Sequence, residues 1–139
     1  MINVYSQSDH PLGRILSNFA RTPFVIGSKR FESVEAFWYW YMTDADSLRF
    51  LYGANAKRAG KMLTKVREHP SRELLKMVYY AKLQYNPNIK TLLLNSGDEE
   101  FEHYYMNGGV RVNADRWLWT AELWAEIREE LRNETKCSS

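Results

Sequence analysis

A chain of 139 residues has room for one domain with a real hydrophobic core, and its 45% apolar and 26% charged content is that of an ordinary globular protein. Its 19 basic and 17 acidic side chains leave a net charge of +2, too balanced to identify a nucleic-acid binder from charge alone. The single cysteine, Cys137, excludes an intrachain disulfide and fits a reducing compartment, and no apolar run is long enough to cross a bilayer.

The opening residues, MINVYSQSDH, carry no signal-peptide pattern, so the expected location is the cytoplasm. Within them INVYS (2–6) alternates apolar and polar residues and reads as a short strand. SQSDHPLGR follows as a turn-rich loop. A second strand candidate, Pro23–Ile26, turns at Gly27-Ser28 and resumes at Phe31. Ser33 is an N-cap candidate with Glu35 in the first turn, so SVEAFWYWYM (33–42) opens a helix. Asp44 or Asp46 can cap the next element, where Leu48, Leu51, Ala54, Ala59 and Leu63 suggest one or two helices around Gly53.

Ser71 starts RELLKMVYYAKLQ, whose Leu74, Leu75, Val78, Tyr79 and Leu83 form one apolar stripe. NPN breaks that helix, and IKTLLLNSG is a short one ending near Gly97. The stretch from Asp98 to Asp115 mixes acids with Tyr104, Tyr105 and the loop MNGGVRVN. Thr120 with Glu122 opens an amphipathic closing helix, TAELWAEIREELR, and 134–139 form a polar tail. The expected fold is a helix-rich α+β single domain over 1–133 with short N-terminal β-strands.

Several chemistries lack their motifs. His10, His69 and His103 form no close-spaced pair, so no metal site is expected, and no cofactor either. There is no phosphate-cradling P-loop, dinucleotide fingerprint or nucleophile elbow. Acid–base chemistry and plain binding remain. Within SVEAFWYWYM one carboxylate precedes five consecutive rings, in a chain with 5 Trp and 9 Tyr. On a helix Glu35 shares its face with Trp38, Tyr39 and Met42, while Phe37 and Tyr41 lie opposite. A carboxyl held against rings has a raised pKa, which suits a general acid near neutral pH. The competing reading is a solvated helix-end charge.

INVYS, LSNF (16–19) and the S-x-E-x-F-W stretch, in this order and spacing, resemble the N-terminal half of the NADAR (YbiA-like) family. GANAKRAGK (53–61), MVYYAKLQYNPNIKTLLLNSG (77–97) and Glu102-His103 resemble its central helices, and LWAEIREEL its last. Where the family has His after the glutamate this chain has Ala36; Asp115-Arg116-Trp117 stands where its Trp-Gly-x-Gly loop would be.

The resemblance implies an N-glycosidase. NADAR members cleave ADP-ribose from guanine in nucleic acid, or phosphoribosylamino pyrimidines of riboflavin biosynthesis. It implies Glu35 as the acidic catalytic residue, and Asn18 and Phe19 as substrate-binding residues. Lys29 corresponds to a family lysine and is read either as a Schiff-base nucleophile or as a cation for a phosphate, against an exposed surface lysine. Trp38 is a stacking or lining ring, or core. Glu102 and Asp115 are candidates for a second carboxylate. The expected partner is ADP-ribosylated nucleic acid, DNA foremost, in a counter-toxin or phage-defence role. An ADP-ribose-like small molecule, or a silent ADP-ribose-binding module, are the alternatives.

Overall fold

Side-chain caps fix where several helices begin, in a computed structural model that describes residues 1–137. Ser33 Oγ accepts from the Ala36 N–H at 3.0 Å and donates to the Leu51 carbonyl at 3.0 Å, so α2 (Val34–Thr43) opens where its sequence predicts. Ser71 starts α4 (Arg72–Tyr85) in the same way, accepting from the Leu74 N–H at 3.1 Å. The loop predicted over SQSDHPLGR is instead half helical. His10 Nδ1 accepts from the Leu12 N–H at 3.1 Å, and Pro11 takes the first position of α1 (Pro11–Leu16), where a missing N–H costs nothing.

Asp44 does not start the element after α2; it ends α2. Its backbone is left-handed (φ 62°) and its N–H donates to the Trp40 carbonyl at 2.8 Å. A 3-10 turn (Asp46–Phe50) and α3 (Gly53–Lys61) follow, two helical pieces where one or two were expected around Gly53. After α5 (Pro87–Leu94) the last helix, α6 (Leu118–Cys137), begins ahead of Thr120. Thr120 Oγ1 donates back to the Trp117 carbonyl at 2.7 Å. α6 also runs through 134–137 of the predicted tail; residues 138 and 139 lie outside the described ones.

The strands form three separate two-stranded pairs. β1 (Ile2–Asn3), shorter than INVYS, lies parallel to β4 (Phe101–Glu102) with Ile2 opposite Phe101. β2 (Phe24–Ile26) and β3 (Lys29–Phe31) make the predicted hairpin, Phe24 opposite Phe31. A second hairpin, β5 (Tyr104–Asn107) with β6 (Val110–Asn113), turns through Gly108 and Gly109, whose φ values of 58° and 81° a side chain would resist. The strands are therefore not confined to the N-terminal part. The alternating VRVN after Gly-Gly was the available signal.

One core joins these pieces. Tyr79 of α4 stacks on Trp124 of α6 at 4.2 Å and 4°, among fully buried Leu75, Val78, Leu123 and Ile127. Phe31 packs on Phe24, Phe37 and Trp40 at 5.1–5.7 Å, which docks the first hairpin on α2. Lys82 is buried in the same core; its amine donates to the Ser17 carbonyl at 3.2 Å and lies 5.7 Å from the Trp124 ring. Burial pushes that amine down to about 7. No helix among the described residues is long and apolar enough to cross a membrane.

Candidate active site

Glu35 is set in place by backbone. Its N–H donates to the Asn18 carbonyl at 2.9 Å, tying the first turn of α2 to the segment after α1. The Phe19 carbonyl accepts from the Gly53 N–H at 2.9 Å, so the same segment anchors the start of α3. The Asn18 side chain is held from behind, with Oδ1 accepting from the Tyr79 hydroxyl at 2.8 Å. Around this anchor opens a cleft of about 1120 Å³. Glu35, Trp38, Tyr39 and Met42, the face predicted from helical spacing, all border it.

The second wall is α3 and the segment after it. α3 comes this close because Gly60 has no side chain: a Cβ there would stand 2.2 Å from the Tyr39 ring. Lys57 and Lys61 of this helix border the cleft, and their charges reach Glu35. Beyond α3 the chain is strapped to the end of α2. The Met42 carbonyl accepts from the Val66 N–H at 2.7 Å, and Arg67 grips both carboxylate oxygens of Asp44 at 2.6 and 3.1 Å. This strap brings Lys65, Glu68 and His69 to the rim.

The third wall is aromatic. The His69 ring stacks on Trp38 at 5.2 Å and 4°, and Trp117 meets both edge-on at 5.3 Å. His69 Nδ1 lies 2.8 Å from the Pro70 carbonyl, which only accepts, so Nδ1 carries the proton and Nε2 is left for other partners. Arg116 lies 4.8 Å over Trp117. His103 also borders the cleft, its Nδ1 donating to the Val4 carbonyl at 2.7 Å, and burial lowers its pKa.

The electrostatics single out Glu35. Part of its surface meets the cleft, yet protein atoms surround the carboxyl, and this desolvation raises its pKa from 4.5 to about 7. The charges of Lys57 and Lys61 pull in the other direction and do not cancel the rise. Tyr39 is pushed up to about 12, by burial first and then by the charge of Glu35. Around neutral pH the cleft thus holds a carboxyl that readily gives and takes a proton. Two carboxylates, Glu35 and Glu68, face five cationic side chains: Lys57, Lys61, Lys65, Arg67 and Arg116.

Of the residues predicted from sequence, Glu35, Asn18, Phe19 and Trp38 meet at this cleft; Lys29, Glu102 and Asp115 do not border it. Lys29 points elsewhere because its β3 register turns it to the 3-10 turn. Its ammonium is 3.5 Å from Asp46 Oδ1 and 6.0 Å from the Trp40 ring centroid. Glu102 pairs with Arg111 at 3.1 Å beside a smaller cavity of about 290 Å³, and Asp115 is exposed. The cations and second carboxylate at the cleft are residues that sequence reasoning passed over. Lysines 57, 61 and 65 at four-residue spacing were a readable signal; Glu68 and His69 reach the cleft only through the strap. Searches of protein-family models, curated proteins and solved structures gave no match to this chain.

Proposed function

We propose that this cleft is the active site of an N-glycosidase in which Glu35 is the general acid. The observation that carries the reading is the Glu35 carboxyl, raised to about 7 at a cleft bordered by rings and lysines. Protonated Glu35 gives its proton to the leaving nitrogen of the base as the C1–N bond breaks and the sugar develops oxocarbenium character. Water adds to C1 and returns a proton to the Glu35 carboxylate. One water is consumed, and free base and free sugar leave. Glu68 is the nearest equivalent of a second carboxylate, and Asn18, fixed by Tyr79, supplies an amide for ribose hydroxyls. Lys29 has no part in this chemistry.

Lys57, Lys61, Lys65 and Arg116 favour a phosphate-bearing substrate, and the resemblance to the NADAR family suggests ADP-ribose on guanine in DNA. On that reading the protein reverses toxin-type DNA ADP-ribosylation. A silent ADP-ribose-binding module is the second reading, favoured by Lys29, Glu102 and Asp115 standing away from the cleft.

The test is incubation with an oligonucleotide carrying ADP-ribosyl guanine and, in parallel, with the riboflavin-pathway pyrimidines, followed by mass analysis. Free ADP-ribose is expected from the oligonucleotide, lost in Glu35→Gln and retained in Lys29→Gln, with no borohydride-trapped adduct at Lys29. Turnover of the pyrimidines alone moves the substrate to the small molecule. Turnover of neither refutes the enzyme and leaves the binding module.

A further inference from the structure

The positive charge of the cleft comes mostly from one short stretch of chain. Lys57 and Lys61 share a face of α3, Lys65 continues the four-residue spacing just beyond it, and all three border the cavity. Lys29 and Lys76 are engaged by carboxylates, with Asp46 for one and Glu126 and Glu130 for the other. The cleft lysines are exposed, and among the described residues none has such an ion pair. Four residues of helix set Lys57 and Lys61 about 6 Å apart along α3, comparable with the step between neighbouring phosphates of an extended strand, and Lys65 lies past the helix end.

Ring faces stand beside these charges. Trp117 and Phe19 border the cavity, with the Arg116 guanidinium 4.8 Å from the Trp117 centroid and the Lys57 ammonium 6.0 Å from that of Phe19, while His69 already stacks on one face of Trp38. A line of cations next to aromatic platforms is how proteins hold single strands, with phosphates on the former and bases on the latter. The volume of about 1120 Å³ stands at the top of the roughly 300–1,000 Å³ range of small-ligand pockets. The whole chain is only +2, so the positive character is focused here rather than spread. An acidic peptide would satisfy the lysines and leave the rings idle.

We propose that the lysine row 57–61–65 is a strand-binding subsite. It takes the sugar–phosphate backbone of single-stranded nucleic acid flanking the nucleotide that faces Glu35. The assignment of the reacting nucleotide rests on the glycosidase reading; binding of an unmodified strand needs no turnover and is measured without it.

The experiment is fluorescence anisotropy of a labelled, unmodified single strand of roughly 12 nucleotides against the full chain, over a salt series. Each phosphate contact on a single strand contributes about 0.7 to the slope of log affinity against log salt. Lys57→Gln, Lys61→Gln and Lys65→Gln combined should lower that slope by about 2. Between about 50 and 200 mM salt the wild type should then lose roughly 20-fold more affinity than the triple variant. Lys61→Gln alone should lower the slope by about 0.7, which keeps the test open if the triple variant does not fold. Lys90→Gln, an exposed change on α5 away from the cleft, should leave it unaltered.

An unchanged slope in the lysine variants, an equal loss in Lys90→Gln, or displacement of the strand by polyglutamate at equal charge overturns the subsite. Lysine-dependent binding without turnover of the ADP-ribosyl oligonucleotide or of the pyrimidines keeps the subsite and refutes the glycosidase. Release of ADP-ribose with lysine-independent binding refutes the subsite alone.

Discussion

Replacing Glu35 by glutamine should make the protein more stable at pH 8 and leave it unchanged at pH 4. The folded-state pKa of about 7 stands above the unfolded value of 4.5. Below about pH 4 both states hold the proton, and glutamine is a near-isosteric neutral replacement. Between 4.5 and 7 the unfolded chain releases a proton that the folded chain keeps, so wild-type stability falls as pH rises. Above 7 the whole cost is present. At 1.36 kcal/mol per pK unit it is about 3 kcal/mol, reduced to about 2 kcal/mol because the carboxyl meets cleft water. The measurement is urea unfolding of both proteins at matched pH. Taking the difference removes the opposite trend from Lys82, whose depressed pKa of about 7 makes stability rise with pH between about 7 and 10.5. Equal stability at pH 8, or an advantage undiminished at pH 4, would refute the burial argument for Glu35.

Two further outcomes follow from the α2–α3 contact. Gly60→Ala forces a methyl into the Tyr39 ring, and should destabilise the fold by about 1–3 kcal/mol in urea titration; a neutral result would mean that the helices do not touch there. Lys57→Gln with Lys61→Gln removes the charges that lower the Glu35 pKa. In the proposed mechanism the acid must be protonated, so activity should fall above about pH 7 in the wild type, and this limb should move to higher pH in the double variant. A limb that stays in place, or moves down, would detach the lysines from Glu35.

Local chemistry was legible and distant geometry was not. Ser33 and Ser71 announced their helices because an N-cap acts within three residues. The Glu35 face emerged from the period of one helix, and the structure keeps Trp38, Tyr39 and Met42 with it at the cleft. Pro11 after His10 was a helix start that the surrounding Ser, Asp and Gly disguised as a loop. Asp44 was readable as a cap, but its end of the helix was not, since an aspartate tolerates the left-handed region as well as an N-cap. Lys29 could be matched by position only; the hairpin register that aims it at Asp46 is a tertiary property. Glu68 and His69 depend on the Arg67–Asp44 clamp, for which no local pattern exists.

The pairing of β1 with β4 also bears on how the site comes into being. Ile2 and Val4 donate to the Glu100 and Glu102 carbonyls, Asn3 exchanges hydrogen bonds with Tyr104, and His103 donates to Val4. These bonds close a loop of about a hundred residues, whose entropy must be met before any of them forms. Val4, Tyr5 and Ser6 border the cleft on one side of that closure, and His103, Tyr105 and Trp117 on the other. A nascent chain that has emerged only as far as α5 therefore has the Glu35 helix and the lysine row but lacks the wall of His103, Tyr105 and Trp117. The cleft is walled on all sides only once β1 and β4 have met.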